Sequence, residues 1–123
     1  MAVRVLVCDD SLGFPALVAS WLDADERFEH VGTADGGRAL LRLIETTPAD
    51  ALVLDLVLPD VDNPGMLVRQ VREKLPDVKV LLVSSLQVAE LARAADAAGV
   101  DGHLHKLTSA TELGDRLAAL VGA

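Results

Sequence analysis

Clustered bases, paired cysteines and long apolar runs are all missing from this sequence. Lys and Arg number 11 against 19 Asp and Glu, a net charge of −8, and no stretch gathers the bases together. A duplex-binding surface needs concentrated Lys and Arg to displace counterions, so direct nucleic-acid binding is not expected. The single cysteine, Cys8, supplies neither a disulfide framework nor a zinc ligand set. Inside an apolar strand it reads as a small buried hydrophobe in a reducing compartment. No apolar run reaches the roughly 18 residues that span a bilayer. The opening MAVRVLVCDD has a short apolar run ending in two aspartates, unlike a signal peptide. Repeats, low-complexity tracts and linkers are absent too. The expectation is a cytoplasmic protein with no membrane partner, and 123 residues suffice for one domain with one core.

What the chain does have is a buried acid. Residues 49–59 read ADALVLDLVLP, with Asp55 set among Ala51, Leu52, Val53, Leu54, Leu56 and Val57. A continuous apolar run bounded by turn residues, without alternation, predicts a strand covered on both faces, as in a parallel sheet. Asp55 then stands at the C-terminal end of that strand, the edge where ligands of open α/β sheets bind.

Similar runs recur along the chain. VRVLVC (3–8) predicts a first strand ending at Asp9 and Asp10. Phe14, Leu17, Val18, Trp21 and Leu22 predict a helix over 11–24, with Pro15 tolerated in its first turn and Trp21 in the core or at its rim. FEHVGTA (28–34) predicts a weaker, edge-like second strand. A helix over 38–47 follows, with Ala39, Leu40, Leu43 and Ile44 on one face and Pro48 as its stop. The third strand covers 50–55. Asn63 as N-cap and Pro64 open a helix to Lys74 with the stripe Leu67, Val68, Val71, Leu75. VKVLLV (78–83) predicts a fourth strand ending at Ser84 and Ser85. An alanine-rich helix over 87–98 ends at Gly99. GHLH (102–105) predicts the fifth strand and delivers Lys106. The last helix, 109–121, starts with Ser109 and Glu112 in capping-box spacing. Five βα units with short turns predict a doubly wound, five-stranded parallel α/β sheet with helices on both faces, for which the order 2-1-3-4-5 is a common solution.

In such a sheet the strand ends share one edge, so Asp9, Asp10, Asp55, Ser84 and Lys106 converge. Three carboxylates that close repel one another unless a cation intervenes. Mg²⁺ takes hard oxygen ligands and suits two carboxylates plus a backbone carbonyl, while Lys106 balances the remaining charge. A carboxylate beside a metal and an ammonium is placed to attack a phosphoryl group, and the Ser84 hydroxyl can donate to one of its oxygens.

The Asp9-Asp10 pair, Asp55 with Pro59 four residues on, Ser84, and Lys106 in GVDGHLHK together resemble the receiver domain of two-component response regulators, over the whole chain. Stretches such as FEHVGTADGGRALL, and a lysine not followed by proline, resemble the subclass fused to helix-turn-helix transcription outputs. The resemblance implies that Asp55 accepts a phosphoryl group from a sensor histidine kinase. It implies that Asp9 and Asp10 hold Mg²⁺ (Asp10 directly) together with Asp55 and the Val57 carbonyl. Ser84 and Lys106 contact the phosphoryl group, with Ser84 and the residue at position 103 as switch elements. Residues 1–123 are then one receiver with no output domain in this chain, either a stand-alone regulator or a cut-out receiver, acting on a downstream protein target or a fused or absent DNA-binding output, with a homodimer through the 87–121 face as an option.

Four features depart from that pattern or qualify it. Asn63 stands where the family has glycine, with Gly65 two places later, and Asn tolerates left-handed backbone. His103 replaces the usual Tyr or Phe of the fifth strand in a chain without tyrosine. Leu107 follows Lys106, and a cis bond there would cost about 3–4 kcal/mol, so trans is expected. Val57 and Leu86, two places beyond Asp55 and Ser84, are apolar, which predicts slow self-dephosphorylation. Two other readings compete. A Mg²⁺-dependent aspartyl-phosphate hydrolase commonly carries a second aspartate at the Val57 position, which is missing here. A phosphorylation-independent interaction module is the other, favoured by His103 and the shifted glycine. Arg38, Arg42, Arg69 and Arg72 read as solvated helix-face charges and Met66 as helix packing, and His30 and His105 receive no ligand role.

Overall fold

Local sequence decides each element, and the sheet then brings their ends together. In the computed structural model, which describes residues 2–123, strands β1 (Val3–Cys8), β2 (Phe28–Ala34), β3 (Ala51–Asp55), β4 (Lys79–Ser84) and β5 (Gly102–His105) alternate with helices. The helices are α1 (Gly13–Asp23), α2 (Gly37–Leu43), α3 (Pro64–Lys74), α4 (Val88–Ala98) and α5 (Ala110–Val121). All strands pair in parallel in the order β2-β1-β3-β4-β5, as expected. No helix among the described residues is long and apolar enough to cross a membrane.

Each sheet face has its own apolar layer. Leu6, Cys8, Leu52, Leu54, Val80 and Leu82 face α2, α3 and α4, meeting Leu40, Leu67, Val68, Val71 and Leu91. Val5, Val7, Val53, Leu81, Val83 and Leu104 face α1 and α5, meeting Val18, Leu22, Leu113 and Leu117. Every residue of β3 is buried, which is why its sequence shows no alternation. Each fully buried Leu or Val contributes about 1.5–3 kcal/mol, so the sheet is a stiff platform for its loops.

The helix ends follow local chemistry. The Asn63 side chain accepts from the Met66 amide ahead of Pro64, and Ser109 accepts from the Glu112 amide. Gly99 ends α4 at φ 70°, the left-handed region that glycine enters without strain. Asn63 is extended at φ −127°, so its role is that of a cap and not of a left-handed hinge.

Other expectations are corrected. The helix expected to reach residue 47 stops at Leu43. The following residues turn instead, with the Thr46 and Thr47 amides both bonding the Leu43 carbonyl. Two successive β-branched residues favour that fraying. Leu17 points outward, and Met66 is half-exposed rather than packed. Arg72 is no free surface charge: its Nη1 donates to the Gly99 carbonyl and its Nη2 to Asp101, both at 2.7 Å. It ties α3 to the end of α4. Trp21 packs at the rim of the α1 layer, as expected.

Candidate functional site

Backbone bonds continue past the strand ends and keep the loops in register. Asp9 N donates to the Ala34 carbonyl at 3.0 Å, Leu56 N to Val83 at 3.0 Å and Lys106 N to Ser84 at 2.9 Å. Asp9, Asp55 and Ser84 are consequently buried at the sheet edge while Asp10 stays exposed. Asp9, Asp10 and Asp55 each present a carboxylate oxygen, and the three oxygens lie within 4.8 Å of one another.

Lys106 crosses to this cluster from the end of β5. Its Nζ lies 2.8 Å from Asp9 Oδ2 and 3.3 Å from Asp55 Oδ2, with 18% of its side chain exposed. The face of the Phe14 ring, from the first turn of α1, lies 5.2 Å from the same Nζ. Asp9 Oδ1 is engaged by the amide and hydroxyl of Ser11, at 2.8 and 2.7 Å. Asp55 Oδ1 receives a long bond of 3.4 Å from the Val57 amide, and Ser84 Oγ accepts from the Leu86 amide at 3.1 Å. A cleft of about 430 Å³ opens here, lined by Asp10, Asp55, Val57, Pro59, Ser84, Ser85, Leu86 and Lys106.

The charges are tuned by burial and by each other. Desolvation, reinforced by the neighbouring Asp9 charge, raises the Asp55 carboxyl above its ordinary value against the pull of Lys106. Burial works to lower the Lys106 ammonium, but its contacts with Asp9 and Asp55 outweigh that and raise it. Nearby Cys8, enclosed by the sheet and close to several carboxylates, has its thiol pushed up to about 12, which leaves it inert.

The donor set fits a divalent cation. Asp9 Oδ2 is buried and lacks a well-directed hydrogen bond, its close contact with Lys106 being a charge contact. A buried carboxylate oxygen balanced by a lysine ammonium and set beside two other carboxylate oxygens is hard-oxygen chemistry of the kind Mg²⁺ takes.

The residues expected at the edge thus come together: Asp9, Asp10, Asp55, Ser84, Lys106 and the Val57 backbone. His103 does not line the cleft. It is half-buried on β5, in register with Leu82, and its carbonyl accepts from Arg116 Nη1 at 2.7 Å. His30 pairs with Thr33, and His105 lies against the Ser85 carbonyl and the Leu107 amide. The Lys106–Leu107 bond is trans, since no described peptide bond is cis. Sequence reading missed Ser11 and Phe14. An Asp with Ser two places on is a recognisable local turn pattern, whereas nothing in the sequence links Phe14 to Lys106.

Residues 5–118 match the family model of the response regulator receiver domain. Response regulator protein VraR of Staphylococcus epidermidis is 30% identical over 116 residues, 94% of this chain. The chain spans about half (54%) of the length of that curated relative. Among solved structures, the signal receiver domain of NarL from Mycobacterium tuberculosis matches with a TM-score of 0.85 and 31% identity, over 99% of this chain and 98% of that one. A chain in the complex of the P1 domain of CheA3 with CheY6 from R. sphaeroides matches with a TM-score of 0.84 and 27% identity, over 98% of each.

Proposed function

Because the chain belongs to the response regulator receiver domain family, we propose that Asp55 is its phosphoryl acceptor and that a sensor histidine kinase is the donor. The observation that carries this reading is the Lys106 ammonium lying between Asp9 and Asp55 at a cleft that Asp10 and Ser84 also line. An Asp55 oxygen attacks the phosphorus of a phosphohistidine. A P–O bond forms, the P–N bond breaks, and its electron pair leaves with the imidazole, which takes up a proton. Mg²⁺, held by Asp9, Asp10, Asp55 and the Val57 carbonyl, would neutralise the carboxylates and the incoming phosphoryl oxygens. Lys106 turns toward those oxygens, and the Ser84 hydroxyl donates to one of them.

The added charge, about −1.5 to −2, then redraws the loop after β4. Residues 85–90 are all exposed and α4 starts without a side-chain cap, so that end of the helix is held by little. Phosphorylation shifts α4 between two packings. We take residues 1–123 as one receiver unit, read out through the 87–121 face by a downstream partner, a DNA-binding output or a second copy. His103 stands on that face as a polar switch element. The solved complex of the CheA3 P1 domain with CheY6 supports the docking of a partner protein domain on this fold, and we take the location to be cytoplasmic. Val57 and Leu86 place apolar groups at the cleft mouth, which supports a phosphoryl lifetime far longer than seconds.

Mass spectrometry after incubation with acetyl phosphate and Mg²⁺ tests the reading. One added phosphoryl group, absent in Asp55→Asn, is expected. No addition to the wild-type chain would favour a phosphorylation-independent interaction module. Steady turnover of small phosphate esters would favour a hydrolase.

A further inference from the structure

Lys106 has a partner that is not an acid. The Phe14 ring faces its Nζ at 5.2 Å, within the roughly 6 Å at which a cation is attracted to a ring face. Both side chains are half-buried, so water screens the contact only in part. Phe14 is also fixed, since its ring packs against the α1 and α5 layer. Lysine, by contrast, hangs on a flexible four-carbon stem. Of the three groups around the ammonium, Asp9 and Asp55 also belong to the carboxylate cluster that a divalent ion would draw on. Among the described residues, the ring is the one partner such an ion does not compete for.

We propose that Phe14 is a positioning residue that holds the Lys106 ammonium over the cleft, by the face of its ring, when the carboxylates are otherwise engaged. The proposal rests on Asp55 being the phosphoryl acceptor. It goes further in assigning to an α1 aromatic the placement of the lysine that meets the phosphoryl oxygens. A ring acting only as core filler would be replaced without loss by any apolar group of the same shape. A ring acting through its π-face would not.

The test replaces Phe14 in the full chain with mono-, di-, tri- and pentafluorinated phenylalanine, which keeps the shape and withdraws electron density from the face. Two quantities are read: the rate of phosphoryl addition from acetyl phosphate with Mg²⁺, and the proton shift of the Lys106 ε-methylene without phosphodonor, with and without Mg²⁺. The expected rate falls stepwise with fluorine number, by about twofold to fivefold at pentafluorophenylalanine. At 1.36 kcal/mol per factor of ten that is about 0.4–1 kcal/mol. Thermal midpoints should stay level across the series, and Phe14→Tyr should keep the wild-type rate. The Lys106 ε-methylene should show a ring-current upfield shift that persists with Mg²⁺ and vanishes in Phe14→Leu. A rate indifferent to fluorination, or an ε-methylene at its ordinary position in the wild type, would overturn the proposal. A wild-type chain that takes up no phosphoryl group would sink the Asp55 reading instead, while the shift would still decide whether ring and ammonium meet.

Discussion

Replacing Lys106 by methionine removes the ammonium that meets this carboxylate cluster and keeps the apolar stem. Its Nζ lies 2.8 Å from Asp9 and 3.3 Å from Asp55. Taking one partner from a buried ion pair costs about 3–5 kcal/mol when the remaining charge has no relief. Two features reduce that figure here. The lysine side chain is 18% exposed, and Asp55, already raised by burial and by Asp9, can take up a proton. A loss of about 2–3 kcal/mol is expected without divalent ions. For a chain of 123 residues, with about 4 °C per kcal/mol, the thermal midpoint drops by about 8–12 °C. Mg²⁺ should reverse much of this, since an ion at a hundred times its Kd returns about 2.7 kcal/mol. Its stabilisation of Lys106→Met should exceed that of the wild type, because no ammonium competes for Asp9. Thermal unfolding with EDTA and with graded Mg²⁺ measures both. A metal-free midpoint within about 2 °C of wild type, or equal Mg²⁺ shifts in the two proteins, would refute the reasoning.

Three further outcomes follow, two of them from contacts away from the cleft. Arg72→Ala should cost about 1–2 kcal/mol and speed hydrogen exchange at the Gly99 and Val100 amides, while Asp101 keeps its bond from Val80 N. Exchange there as slow as in the wild type would mean that Arg72 tethers nothing. The pH dependence combines opposite signs. Asp60 is held low by the Arg38 and Gly37 amides, and Asp50 by Arg4. Their stabilisation is therefore present above the unfolded Asp value of about 3.9 and lost as pH falls through the lower folded values. Asp55 is raised, so its contribution is full below the unfolded value and lost as pH rises through the folded one. Asp60→Asn should flatten the acid limb of a denaturant-monitored stability profile, and Asp55→Asn should stabilise the metal-free protein at neutral pH. An unchanged acid limb in Asp60→Asn, or a loss at neutral pH in Asp55→Asn, would contradict this assignment.

The strands were legible because burial on both sheet faces writes itself as unbroken apolar runs, and β3 is the extreme case. Since parallel strands end at a common edge, the apolar runs alone bring together the residues that follow each of them. Contacts fixed by packing were not legible. Asp60 caps α2 across the loop, with bonds of 2.9 and 3.1 Å to the Gly37 and Arg38 amides, and nothing near Gly37 announces it. Arg72 looks like any charged residue of an amphipathic helix until α3 is set beside the end of α4. The stripe of α1 runs one residue too wide, since Leu17 faces water, and Met66, read as helix packing on α3, is half-exposed beside its buried neighbour Leu67. Periodicity fixes a helix direction, but the width of its covered stripe depends on how closely the next element approaches.

The pairing of β1 with β2 slips by one residue, with Val5 opposite His30 and Leu6 opposite Gly32, so that Val31 has no counterpart. Because β2 is the outer strand, that irregularity bends the one long row of unpaired amides and carbonyls the sheet leaves bare. A bent border makes a poor template for a neighbouring copy to extend, and so guards the protein against fibre-like stacking at high concentration.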